Sequence, residues 1–194
     1  MQKYTKQFLD LALQTGIIHR QGEGNRLHID PFFQGNAHAV GLAARACREL
    51  MKDARYLDIC NAGMLMAFDG PTYPLLPVTA QAFHGGDAKG FVHYATYNRY
   101  KLGERYNGDQ FVVLSTMENE VELRGAIEFI GKHLGTCVGA VMLYSPASSQ
   151  EQNRDIGIPV LRVITEQHAE AYLADHTNSE GVFVPPKGRE SILD

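Results

Sequence analysis

Apolar and polar positions along the chain change their spacing repeatedly, and each change marks an element. Residues 5–18 carry Phe8, Leu9, Leu11, Ala12, Leu13 and Ile17. Phe8, Leu11 and Ala12 follow i, i+3, i+4 spacing, which predicts a helix with one apolar face, ended near Gly16. Residues 20–31 are polar, contain Gly22 and Gly24, and read as a loop or short hairpin. Residues 37–52 predict a second helix, with Asn36 placed to accept from free N–H groups of its first turn. The runs 56–60 and 64–68 are short and apolar, so at least one should be a buried strand. The 64–68 run fits either a strand or a buried helical turn. Asp69-Gly70-Pro71 is a strong break. Residues 78–83 read as helix, ended by His84-Gly85-Gly86-Asp87, and 91–97 alternate as a strand does.

The second half repeats the alternation. Residues 100–109 are polar, hold Gly103 and Gly108, and predict a long mobile loop. Short apolar strands are expected at 111–114, 138–144 and 160–164, with helices at about 120–133 and 166–174. Residues 145–154 read as a polar loop, and the stretch from Asp175, with Pro185-Pro186, as a loose tail. Strands alternating with helices imply βαβ units, a mainly parallel central sheet and flanking helices, an α/β fold. Ligands of such sheets bind beyond the carboxyl ends of the strands. The places to search are therefore the loops after Phe68, Tyr97, Leu114 and Tyr144. No internal repeat or low-complexity tract interrupts this order.

Composition narrows the class. A chain of 194 residues, 44% hydrophobic and 21% charged, suits one well-buried core. The net charge of -4 and the scattered basic residues argue against a nucleic-acid partner. Cys47, Cys60 and Cys137 are odd in number and lack metal-ligand spacing, as expected of a reduced, cytoplasmic protein. The N-terminal residues lack the apolar run of a signal peptide, and no stretch approaches the roughly 20 apolar residues of a membrane helix. The eight His include no His-Glu-x-x-His and no i, i+4 pair, so the sequence offers no zinc motif. Cys60 has no basic neighbour in sequence and reads as buried and inert.

Several segments, in order, resemble the orotate phosphoribosyltransferase family. Tyr4 to Leu13 with Gly16-Ile17-Ile18 is similar to the family's N-terminal helix and turn. Asp30-Pro31-Phe32-Phe33 resembles the segment that closes its N-terminal hood. Gly70-Pro71-Thr72-Tyr73-Pro74-Leu75-Leu76-Pro77 looks like its Gly-Pro-Ala-Tyr-Lys-Gly-Ile-Pro. Tyr97-Asn98-Arg99 is similar to the start of its mobile catalytic loop. Pro159 to Thr165, then Ala171-Tyr172-Leu173, resembles its last strand and helix. The resemblance covers about residues 4–174. It implies a type I phosphoribosyltransferase-like fold in one domain over 1–174, with a small hood from about 1–35 and a loose tail over 175–194. It also implies a homodimer, and Mg²⁺ if the protein is an active enzyme of pyrimidine nucleotide synthesis.

The same resemblance exposes departures. The family's phosphoribosyl diphosphate (PRPP) motif has an apolar strand, two acidic residues, then a loop rich in Thr and Gly. Here the acidic positions fall on Ser115 and Thr116, and no glycine follows before Gly125. A phosphate cradle needs inward N–H groups and the backbone freedom of glycine. Glu118, Glu120 and Glu122 instead bring negative charge; at about 4 Å, like charges repel by roughly 4 kcal/mol at an effective dielectric near 20. They read as helix-start acids and surface charge more readily than as a Mg²⁺ site. Asn119 with Glu122 resembles a capping pair, so the helix is capped by its own side chains. The family's base-side lysine corresponds to Pro74, and the mobile loop keeps cations but no His.

The candidate ligand residues are Phe32 and Phe33 for stacking on a base, and Thr72 and Tyr73 at a strand end. Arg99, Lys101 and Arg105 are candidates for gripping a diphosphate, and Ser115 and Thr116 for offering hydroxyls. Core packing, a tight Gly-Pro turn and a solvated loop are the competing structural readings. Three functions follow. The first is a phosphoribosyltransferase-like protein with lost or weakened PRPP-dependent transfer that still binds a nucleotide, base or sugar phosphate. The second is an active, divergent orotate phosphoribosyltransferase. The third is a scaffold that kept only the fold.

Overall fold

The structure, a computed structural model, describes residues 1–21, 26–30, 33–52, 57–67, 72–84, 93–96, 109–146, 156–178 and 184. Helix α1 spans Lys3–Gln14, and Gly16 adopts φ +73 just beyond it, a left-handed turn that glycine takes without a Cβ penalty. Strands β1 (Ile18–Gln21) and β2 (Arg26–Ile29) pair antiparallel, so the polar stretch is a hairpin. A 3₁₀ turn at Phe33–Gly35 leads into α2 (Ala37–Met51). Asn36 caps α2 by accepting from the Ala39 amide at 3.0 Å. Residues Leu57–Asn61 form a short helix, α3, and Met64–Ala67 form strand β3. Of the two apolar runs, the second is therefore the strand.

Helix α4 (Leu75–His84) begins earlier than its apolar spacing suggested. Strand β4 is His93–Thr96, β5 Asp109–Met117, α5 Glu120–His133, β6 Gly135–Ser145, β7 Val160–Thr165 and α6 Glu166–Asp175. Strands β5 and β6 outrun the apolar cores that announced them. In β5 the ladder to β6 continues through Ser115↔Met142 and Met117↔Tyr144. The expected polar loop at Ser115 is thus strand, because neighbouring backbone groups pair regardless of side-chain polarity.

All pairings in the five-stranded sheet are parallel, in the order β4-β3-β5-β6-β7. Side chains alternate between its faces and divide the core. Leu65, Val112, Leu114, Val141, Leu143, Leu161 and Val163 pack with apolar residues of α1, α2, α4, α6 and the hairpin. Met64, Met66, Phe111, Val113, Ala140, Met142 and Val160 pack against Leu123, Ala126 and Ile130 of α5. Burial on both faces explains why the strands read as continuous apolar runs. The strand order reverses between β3 and β5. Their carboxyl ends border the crevice where open α/β sheets bind ligands.

Candidate functional site

The carboxyl ends of β5 and β6 and the middle of β7 meet at one charged cluster. Glu118 follows β5, and its amide donates to the Tyr144 carbonyl at 3.0 Å, which draws the residue alongside β6. Arg162, in the middle of β7, donates from Nε to Glu118 Oε2 at 2.7 Å and from Nη2 to Oε1 at 2.5 Å. The Ser145 hydroxyl, at the end of β6, donates to Oε2. Both charged side chains are more than nine-tenths buried, with 7% exposure for Arg162 and 8% for Glu118. Burial is the largest single influence on the Glu118 carboxyl and acts to raise its pKa. The hydrogen bonds from Arg162 and Ser145, with the guanidinium charge, outweigh it and hold the carboxyl below its ordinary value.

This corrects the surface reading of Glu118. It is a buried anion in a two-pronged ion pair, the arrangement in which arginine holds a carboxylate most strongly. Glu120 and Glu122 are exposed at the start of α5, as expected. Glu120 pairs with Arg124 one turn on, at 2.8 Å. The amides of the first turn of α5 are engaged from within the chain. Asn119 Oδ1 accepts from Val121 at 3.1 Å and from Glu122 at 3.4 Å. A cavity of about 10 Å³ lies beneath this turn, lined by Ser115, Met117, Asn119, Glu122 and Leu123 among others. It has room for about one water molecule, far too little for a phosphoryl group.

At the crevice between β3 and β5, Thr72 is fully buried. Its Oγ1 accepts the Thr116 amide at 2.8 Å and lies 3.4 Å from the Thr116 hydroxyl. The two threonines tie the segment after β3 to the end of β5. Thr116 is itself buried, and the Ser115 hydroxyl donates to the Met117 carbonyl at 2.8 Å. Tyr73 is half-buried and packs against the larger core cluster. Phe33 is 3% exposed, with its ring centroid 5.8 Å from that of Phe8. Phe33 is therefore core, and its burial removes it from any base-stacking surface. Phe32, Arg99, Lys101 and Arg105 lie outside the described residues.

Ser115, Thr116, Thr72 and Tyr73 thus gather near the switch point, but the first three have hydroxyls engaged inside the protein. Sequence reasoning missed Arg162 and Ser145. The signal for Arg162 was present: an arginine amid Val160, Leu161, Val163 and Ile164 interrupts a buried strand, and such a charge needs a partner. Among the described residues, no group of three or more His, Cys, Asp or Glu is placed to hold a metal ion. Neutral hydroxyls stand where the resemblance calls for two carboxylates, so these residues do not fit a hard divalent cation. Burial pushes the Cys47 thiol up to about 12 and the Cys137 thiol up to about 11, which makes both poor nucleophiles. Among the described residues, no helix is long and apolar enough to cross a membrane.

Solved structures share this arrangement of strands and helices. An orotate phosphoribosyltransferase from Francisella tularensis superposes with a TM-score of 0.70 at 10% identity, over 91% of this chain and 94% of that one. The type I phosphoribosyltransferase fold is the fold of this chain. The orotate phosphoribosyltransferase of Aeropyrum pernix matches at a TM-score of 0.65 and 14% identity, over 86% of this chain and 98% of its own. UMP synthase of Leishmania donovani matches at 0.68 and 11% identity, over 90% of this chain and 39% of that longer protein. No protein-family model and no curated protein matches the sequence. At such identities the phosphoribosyltransferase fold is shared while the chemistry of the site has to be argued from the site.

Proposed function

We propose that this protein is a phosphoribosyltransferase-fold binder of a nucleotide, base or sugar phosphate, with PRPP-dependent transfer lost or much weakened. One observation carries the reading: the segment after β5 is filled from within. Strand pairing extends to Met117, Glu118 is locked to Arg162, and Asn119 takes two amides of the first turn of α5. A transferred phosphoribosyl group needs such amides for its phosphate. It also needs charge stabilisation for the departing diphosphate. Asn119 already occupies two of the amides the first need calls for, and Ser115 and Thr116 bring no charge to the second.

The ligand class comes from the neighbours and the crevice together. A Mycobacterium tuberculosis orotate phosphoribosyltransferase of the same fold was solved with PRPP, at a TM-score of 0.57 and 14% identity. The crevice between β3 and β5 is the seat that strand order favours here. In this reading residues 1–174 act as one domain with its hood, and two copies form a homodimer. The loop bearing Arg99, Lys101 and Arg105 supplies cations to the ligand, in the cytoplasm and within pyrimidine nucleotide metabolism.

Calorimetry with PRPP and Mg²⁺, beside an orotate turnover assay, is the test. Weak or absent PRPP binding and no turnover are expected. Tight binding with turnover overturns the proposal in favour of a divergent enzyme. A thermal-shift panel of nucleotides, bases and sugar phosphates should raise the melting temperature with at least one member. A flat response across the panel also overturns it and leaves a scaffold.

A further inference from the structure

The hairpin brings together two imidazoles that the sequence does not mark as a pair. His19 on β1 and His28 on β2 are direct partners in the antiparallel register, so both rings leave the same face of the ribbon. Their centroids are 5.9 Å apart and their planes are inclined at 71°. His19 is exposed and His28 half-buried, so the pair opens to solvent. His19 Nδ1 lies 3.0 Å from the Gly16 carbonyl oxygen. A carbonyl oxygen can only accept, so Nδ1 carries the proton and the neutral ring keeps its lone pair on Nε2. A backbone carbonyl on one ring nitrogen, fixing tautomer and orientation for the other, is how metal-ligating histidines are commonly supported. The turn at Gly16, with its positive φ, sets where that carbonyl points.

We propose that His19 and His28 form a two-imidazole seat for a divalent transition metal of the Zn²⁺ or Ni²⁺ type. Imidazole nitrogen suits these borderline ions. Metal–nitrogen bonds of about 2.0–2.1 Å would span two rings whose centroids are 5.9 Å apart once side-chain rotation turns a nitrogen of each toward the ion. Two protein ligands leave coordination positions for water. The metal would clip β1 to β2 and so stiffen the hairpin. The proposal is independent of the phosphoribosyltransferase-like reading.

The test uses the full chain stripped of metal with a chelator. Zn²⁺ or Ni²⁺ titrated calorimetrically at neutral pH should bind at one equivalent. His19→Ala and His28→Ala should each weaken binding by about tenfold or more, and each should lose the metal-induced rise in melting temperature. With Cu²⁺ as probe, electron paramagnetic resonance should show two nitrogen ligands in the native chain and fewer in either variant. His28→Gln replaces the alanine variant if the metal-free melting curve shows that His28→Ala impairs folding. Binding that survives either substitution with less than that loss, or no binding up to millimolar metal, overturns the proposal.

Discussion

Glu118 and Arg162 show how one residue changes the meaning of its neighbours. Read along the chain, Glu118 is one of three alternate acids at a helix start. In the fold it is a buried anion held by a strand two places away in the sheet. Removing one partner strands a buried charge, so Arg162→Met should destabilise the protein by about 3–5 kcal/mol. Adding Glu118→Gln to it should recover much of that loss. Urea unfolding followed by circular dichroism reads both, and tryptophan fluorescence cannot serve because the chain has no Trp. The pair also has a pH signature. The folded carboxyl titrates below its ordinary value of 4.5, so the unfolded state binds its proton first as pH falls. The contribution is complete above that ordinary value and is lost as pH falls through the lower, folded one. The stability gap between the native protein and Glu118→Gln should therefore be constant near neutrality and narrow on acidification below about 4.5.

At the scale of elements, α5 is the helix whose start decides the reading of the site. Its N-terminus is capped by Asn119, its first turn holds Glu120 and Glu122, and its last turn carries Lys132 and His133. Each feature suits the helix dipole. Asn119→Ala removes the acceptor for two amides and should cost about 0.5–2 kcal/mol in urea unfolding. The same substitution tests the filled cradle. If the cap alone keeps phosphate out, Asn119→Ala should bind inorganic phosphate or PRPP detectably by calorimetry. With strand pairing also holding the backbone through Met117, no such gain is expected. Strand β5 teaches a related lesson. Its apolar part, 111–114, was legible, while Ser115 to Met117 became strand only because β6 lay beside them to pair with.

At the scale of the molecule, hydrogen bonds between distant residues hold the N-terminal elements to the sheet. The Tyr144 hydroxyl, on β6, donates to the Leu27 carbonyl on β2 at 2.9 Å. The Leu27 amide donates to Glu166 Oε1 on α6 at 3.3 Å. The Tyr172 hydroxyl donates to the buried Asp10 carboxylate, joining α6 to α1. Burial first, then the negative charges of Glu166 and Glu170, keep the Tyr144 phenol protonated well beyond its usual range. Tyr144→Phe should leave the Leu27 carbonyl without this donor and cost about 1–3 kcal/mol. Hydrogen exchange should quicken in β1 and β2 more than in β6 and β7, because the lost bond lies at the hairpin's edge of the core.

Sequence by itself determined the alternation of helix and strand, the parallel class of the sheet, the cap at Asn36 and the uncharged hydroxyls of Ser115 and Thr116 at the end of the β5 run. Those are local properties: apolar spacing, turn chemistry and residue type at a motif position. Tertiary structure alone decided which polar residues meet. Glu118 with Arg162, Thr72 with Thr116, and His19 with His28 are pairs made by strand order and register, and burial placed Phe33 in the core. Contact across a sheet depends on how distant strands come to lie side by side, and no short-range pattern in a single chain encodes that.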